Sequence, residues 1–360
     1  MHEFAAQGVK IVDPRQTFID DDVLAGRVRP GATLHPGTRL HGARTFLAEG
    51  AQVGVEGPAT VRDAVFGAGA SIASGYVEGA VLFPGASLGA AAHVRPGTIL
   101  EERASTAHAV GLKHTILLSF VTLGSLINFC DCLMAGGTSR RDHSEVGSGF
   151  IHFNFTPWGE RGDKATPSLL GDVPRGVFLR EPRIFLGGVA GLVGPGEVGF
   201  GGITGAGQVV RKPVGEGRLS LQPIRELDTE RDPGHLDRAH PRAERNIGYI
   251  ANLVALRAWY RHVRLARASD ASRVVVEAGI ETLGVCIAER VKRLEAFLAE
   301  RGEPLPTLNL EPPEAEACPL LDAIAGSPDE EHVAWVQGLD PESVQLGIGW
   351  LRSIADSVAG

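Results

Sequence analysis

From Val28 the chain counts in sixes. VRPGAT, LHPGTR, LHGART and FLAEGA follow one another; the rhythm slips through Gly54–Gly79, where GAGASI still shows it, and returns as LFPGAS, LGAAAH and VRPGTI up to Leu100. A fixed short period constrains a fold more than local propensity does. Each unit carries one large apolar residue (Val28, Leu34, Leu40, Phe46, then Leu82, Leu88, Val94, Leu100). The Pro-Gly or Ala-Gly that often follows makes a sharp corner, because glycine accepts positive φ. Three flat faces per coil give a triangular prism whose coils pair as parallel strands about 4.8 Å apart and bury one continuous core. A β-sandwich would instead need clear alternation over runs of roughly 8 to 12 residues, which the sequence lacks.

The same pattern sets the expected organisation. Residues 1–213 read as a parallel β-helix, whose inward positions shift to Leu192, Val198 and Thr204 near its end. Residues 155–174 are polar and proline-containing, which predicts a protruding loop bearing Trp158, Glu160 and Arg161. Residues 214–245 read as a linker or arm. Over 246–360 the apolar residues take helical spacing, first from Ile250 to Val263 and then from Val275 to Leu294, which predicts a hairpin of two long helices followed by shorter ones. The expected fold class is therefore mainly β, with an α-helical C-terminal extension.

Charge and composition narrow the functions. A net charge of -8 gives no footprint for nucleic acid or an anionic membrane. No apolar run reaches the roughly 18 residues of a membrane span, and the first residues lack a secretion signal, so a cytoplasmic protein is expected. The four cysteines have no zinc-site spacing and read as buried thiols. The chain has only five lysines, two of them (Lys113 and Lys164) in its densest stretch of His, Asn, Asp and aromatic residues, 107–172.

The six-residue units resemble those of the hexapeptide-repeat transferases, and this resemblance implies a left-handed coil. More narrowly, residues from about Gly8 to Pro213 are similar to the C-terminal acetyltransferase domain of the bifunctional bacterial enzymes that acetylate glucosamine 1-phosphate and then uridylylate it. The glycine-rich nucleotide loop of their uridylyltransferase half is not found. The resemblance implies substrate-binding roles for Arg95 in HVRPG, Lys113 in GLKH, Asn154 with Phe155 in FNFTP, and Lys164 in GDKAT. It also implies acetyl-CoA or another acyl-CoA as donor, a phosphorylated or UDP-linked amino sugar as acceptor, and a homotrimer with sites between subunits.

The departures from that pattern bear on mechanism. The family's catalytic histidine is Ser125 here, in LGSLIN; its tyrosine three residues on is Asn128; and the asparagine before its Ile-Gly-Ala-Gly is Glu145. Acyl transfer to an amine needs a base near neutral pKa, which histidine supplies and serine does not. His108, His114, His143 and His152 lie in the same stretch. His114 and His152 are the expected replacements beside Ser125, His152 sharing one strand face with Asn154. Without such a replacement the chain is expected to bind sugar phosphate but not to turn it over, or to be a non-catalytic sugar-nucleotide scaffold. No metal is expected: the histidine separations are six and nine, not the five used around zinc in γ-class carbonic anhydrase-like relatives of this repeat.

Overall fold

The structure, a computed structural model, describes residues 1–156, 162–222, 228, 239–325 and 331–359. Two-to-eight-residue strands, all in parallel register, coil into a left-handed β-helix with three faces. The first face is an 11-stranded sheet running from Lys10–Ile11 to Leu219–Ser220. The second includes Arg39–His41, Ala59–Arg62, Gly75–Glu78 and Ala92–Val94; the third includes Phe46–Leu47, Val65–Phe66, Ala80–Leu82 and Thr98–Leu100. Strands Val110–Leu117 and Ile127–Met134 serve both faces, bending at His114 (φ 46) and Asp131 (φ 59).

Of the residues expected to point inward, Val28, Leu34, Leu40, Leu82, Leu88, Val94, Leu100, Leu192, Val198 and Thr204 do so and are buried. Phe46 is buried as well but on the outer side of its face, and its neighbour Leu47 takes the inward place, in the column of Phe66, Leu82 and Leu100. Through the slipped stretch the prism continues on Val61, Phe66, Ile72 and Val77, so the coil tolerates steps of five residues as well as six. Large side chains stack in register, for example Leu40, Val61, Val77, Val94, Leu112 and Phe129 on the second face. Each such residue contributes about 1.5–3 kcal/mol by leaving water.

The third face is buried on both sides. Phe46, Val65, Val81, Ile99, Ile116 and Leu133 form one column and Leu47, Phe66, Leu82, Leu100, Leu117 and Met134 the adjacent one; all are buried. One column fills the prism, and the helical extension covers the other, through helix Asp270–Ala299 packed on the third-face strands. Continuous apolar runs are the signature of such doubly covered parallel strands. This apolar outer face is occupied by the chain's own helices rather than left for a neighbouring subunit.

Other boundaries differ from expectation. Ser168–Leu170 is a third-face strand paired with Cys132–Met134, so the excursion after Phe155 is shorter than 155–174, and Trp158, Glu160 and Arg161 lie outside the described residues. The prism continues past residue 213 to Leu219–Ser220, and the first long helix, Ala239–Trp259, starts earlier than residue 246. It packs on Asp270–Ala299, with Tyr260–Arg264 between them as a π turn. All four cysteines are buried free thiols. Among the described residues no helix is long and apolar enough to cross a membrane.

Gly75 tests the coil geometry. Its φ is +120°, and a Cβ there would sit 2.1 Å from the Ala92 carbonyl oxygen in the next coil. Gly75→Ala is expected to lower the unfolding free energy by about 3 kcal/mol or more, through strain added to overpacking. Gly69→Ala, with open space around its Cβ, should cost about 1 kcal/mol. Urea unfolding of the two variants checks the difference; equal costs would contradict this packing.

Candidate active site

With the third face covered, the second carries the densest functional chemistry. Its outward residues form two columns. In the first, Tyr76, His93, Gly111, Asn128 and Ile151 stand in successive coils. The second continues through Arg95, Lys113 and Cys130, since Val94 pairs with Leu112 and Lys113 with Cys130. Arg95 is exposed, Lys113 half-buried and Cys130 buried, with Arg95 Nη2 3.7 Å from Cys130 Sγ. The His93 ring stacks on Tyr76. Gly111 adds no side chain between His93 and Asn128, which leaves a shallow recess bordered by the two cations.

At the corner between the second and third faces stand His114 and Asp131. A Cβ on Gly97 would lie 2.3 Å from His114 Nδ1, so glycine is required for the ring to seat there. Its Nδ1 is 3.9 Å from Cys286 Sγ on the covering helix. Burial lowers the His114 pKa more than the nearby Asp131 raises it. Asp131 accepts from Asn154 Nδ2 at 2.9 Å and pairs with the buried Arg290 of the same helix at 3.0 Å. Asn154 is thus tied to the corner rather than held on a strand, because the strand Ile151–Phe153 has already ended. Phe155 is exposed, its ring against Gly162. Lys164 meets the last turns of the helix, lining a cavity of about 350 Å³ with Arg293, Ala296, Phe297 and Glu300. The structure therefore brings Arg95 and Lys113 together, sets Asn154 at the adjoining corner, and gives Lys164 neighbours on the extension.

His152 does not share a free face with Asn154. It continues the inward column below Phe129, is 1% exposed, and has both nitrogens engaged. The Cys130 carbonyl, at 2.5 Å, can only accept, so Nδ1 carries the proton and Nε2 takes the Ser168 hydroxyl hydrogen at 2.7 Å. Ser168 Oγ in turn accepts from the Gly196 N–H. Burial pushes the His152 pKa down to about 4. It is a core histidine with no route to a substrate. His114, under the helix, is also poorly placed. His143 faces Glu145 on the first face.

Ser125 lies at the corner between the first and second faces. Its hydroxyl is 2.9 Å from Nδ1 of the exposed His108, one coil earlier, and its N–H donates to Ser148 Oγ, one coil later. His108 was one histidine among several in the sequence. The signal that singles it out is its spacing of 17 residues from Ser125, the same as from Lys113 to its cross-coil partner Cys130. Arg290 could not be assigned to the site from sequence, because nothing in a helical pattern says which strand corner it will cover.

A left-handed β-helix with paired cations on an open face resembles the hexapeptide-repeat transferases. No protein-family model matches the chain. The bifunctional protein GlmU of Nocardia farcinica is 31% identical over 214 residues, covering 59% of this chain and 38% of that protein. GlmU of Kineococcus radiotolerans is 32% identical over 223 residues (61% and 40%), and that of Desulfitobacterium hafniense 30% over 216 residues (60% and 42%). The chain spans about two-fifths of the length of these relatives.

Burial of His152 makes the fold acid-sensitive. Above the ordinary histidine pKa of about 6.5 the ring is neutral in both states; as pH falls the unfolded chain takes up a proton that the folded one refuses until about 4. Between those values the fold should lose about 3 kcal/mol from this group. His152→Gln, although less stable at pH 7, should show a shallower loss of its urea midpoint between pH 6.5 and 4. An unchanged slope would contradict the assignment.

Proposed function

We propose that the protein is an acyltransferase that moves an acyl group from acyl-CoA, acetyl-CoA in the simplest case, to a phosphorylated or UDP-linked amino sugar on the second face of the prism. The observation that carries this reading is the Arg95–Lys113 column beside the Gly111 recess, two cations adjacent in space in a chain of net charge -8. Arg95 and Lys113 meet the phosphate, Asn154 and Phe155 border the sugar, and Lys164 approaches from the loop. The similarity to bifunctional GlmU proteins over about 60% of this chain supports the same class of chemistry.

A homotrimer with sites between subunits fits the remaining exposed apolar surface. Leu126 and Val189 project at the corner between the first and second faces, at 61% and 79% exposure, with Ile151 and Phe153 beside them. They lie along the corner that holds Ser125, so a neighbouring prism there would cover apolar surface and the site together. Light scattering is expected to give three times 38.0 kDa; a monomer would remove the inter-subunit site.

Binding tests the substrate class. Calorimetry with acetyl-CoA, UDP-N-acetylglucosamine and glucosamine 1-phosphate should detect at least one sugar ligand and the thioester. A hydrogen bond to a charged group contributes about 1.5–3 kcal/mol, so Lys113→Ala should weaken sugar-phosphate binding roughly 10- to 150-fold. Unchanged affinity would overturn the phosphate role of the column.

A further inference from the structure

We infer that His108 is the general base of this site, held in position by Ser125. The inference rests on the acyl-transfer reading above and adds the residue that the sequence left missing. Three histidines of this stretch are otherwise committed. His152 is sealed in the core with both nitrogens used, His114 is packed between Gly97 and Cys286, and His143 faces Glu145 on another face. His93, although exposed, is stacked on Tyr76. His108 remains, exposed at the corner that borders the Gly111 recess.

Its geometry suits the task. Nδ1 lies 2.9 Å from Ser125 Oγ, a bond that fixes the ring; in the tautomer this inference requires, Nδ1 is the donor and the Nε2 lone pair is open, and among the described residues Nε2 has no hydrogen-bond partner. Ser125 is itself fixed, its N–H bonded to Ser148 Oγ and the following Leu126 N–H bonded to the His108 carbonyl. The corner is therefore pinned across three coils. Arg95 and Lys113 stand on the far side of the recess from His108, so a sugar phosphate anchored on them has its body over Gly111 and its amine toward the imidazole.

The step balances without a further reagent. The amine nitrogen attacks the thioester carbonyl carbon, forming the C–N bond as the C–S bond breaks. The proton lost by the amine goes to His108 Nε2 and from there to the departing thiolate, giving an amide and a free thiol. Ser125 is a positioning residue: it touches the base and not the reacting atoms.

Steady-state acetyl transfer to glucosamine 1-phosphate and to UDP-glucosamine, with the full chain, tests this. Removing a general base costs about 10²- to 10⁴-fold. His108→Ala is expected to lose at least 100-fold in kcat with little change in KM for the sugar, and added imidazole should restore part of the rate at this exposed position. Ser125→Ala should lose less, also in kcat. Full kcat in His108→Ala would overturn the inference and leave acyl transfer standing. So would a loss that imidazole does not relieve and that comes with a raised KM, the mark of a structural role. A wild-type chain that transfers no acyl group to either acceptor would overturn the acyl-transfer reading, and this inference with it.

Discussion

Everything on this prism depends on the corners. The coil makes most of its bends by placing a residue in the left-handed region, where a side chain costs about 1–2 kcal/mol. Glycine fills many of these positions, but Ala91, Ala109 and Leu126 stack at one corner and His114 and Asp131 at another. They persist because each bend is hydrogen-bonded to the bend before it, as His114 N–H is to Pro96 O and Leu126 N–H to His108 O. Stacked corners fix the register of the faces between them, and in a strand a one-residue slip would turn every outward side chain inward. The Arg95–Lys113 column and the His108–Ser125–Ser148 ladder are consequences of that register.

The helical extension then decides which surfaces remain available. It seals the third face with apolar contact and ties itself down by buried ion pairs, Arg242 with Asp163 among them. At one corner Arg264 pairs with Glu101 (3.3 Å) and Glu102 while Tyr260 donates to Glu101 at 2.7 Å; at another Arg290 pairs with Asp131. Burial raises the Glu101 pKa, although the Arg264 charge opposes the shift. Such pairs add little net stability over well-packed apolar residues, yet removing one partner typically costs about 3–5 kcal/mol. They therefore act chiefly as registration points. The Asp131–Arg290 pair has a second effect, because Asp131 also holds Asn154, so the position of the segment after strand Ile151–Phe153 is tied to the docking of a helix far away in sequence.

Much of this was legible in the sequence. The six-residue period gave much of the core, including the shift of the inward position to Leu192, Val198 and Thr204, but it set Phe46 where Leu47 points inward and did not give Val61, Phe66, Ile72 and Val77; helical spacing gave the hairpin. Periodicity was less informative wherever a face was covered twice. The runs AVLF and TILLSF carry no alternation to say which residues face the prism and which the helices. His152 was misread for a related reason: a polar residue at an inward position breaks the apolar pattern, and only the bonds to Cys130 and Ser168 reveal that it is satisfied there. Ser168 itself lay in a stretch too polar to read as a rung.

The pairing of His108 with Ser125 shows what a repeat fold permits that other folds do not. In a coil of about 17 residues, positions one turn apart in sequence are neighbours on the same corner, with the same backbone direction and nearly the same surroundings. A side chain lost from one coil can be supplied from the coil before it, displaced by only one strand spacing of about 4.8 Å. Arg95 and Lys113 are spread over two coils in the same way. Ser125 and His108 show this directly, Ser125 Oγ lying 2.9 Å from Nδ1 of the histidine one coil earlier.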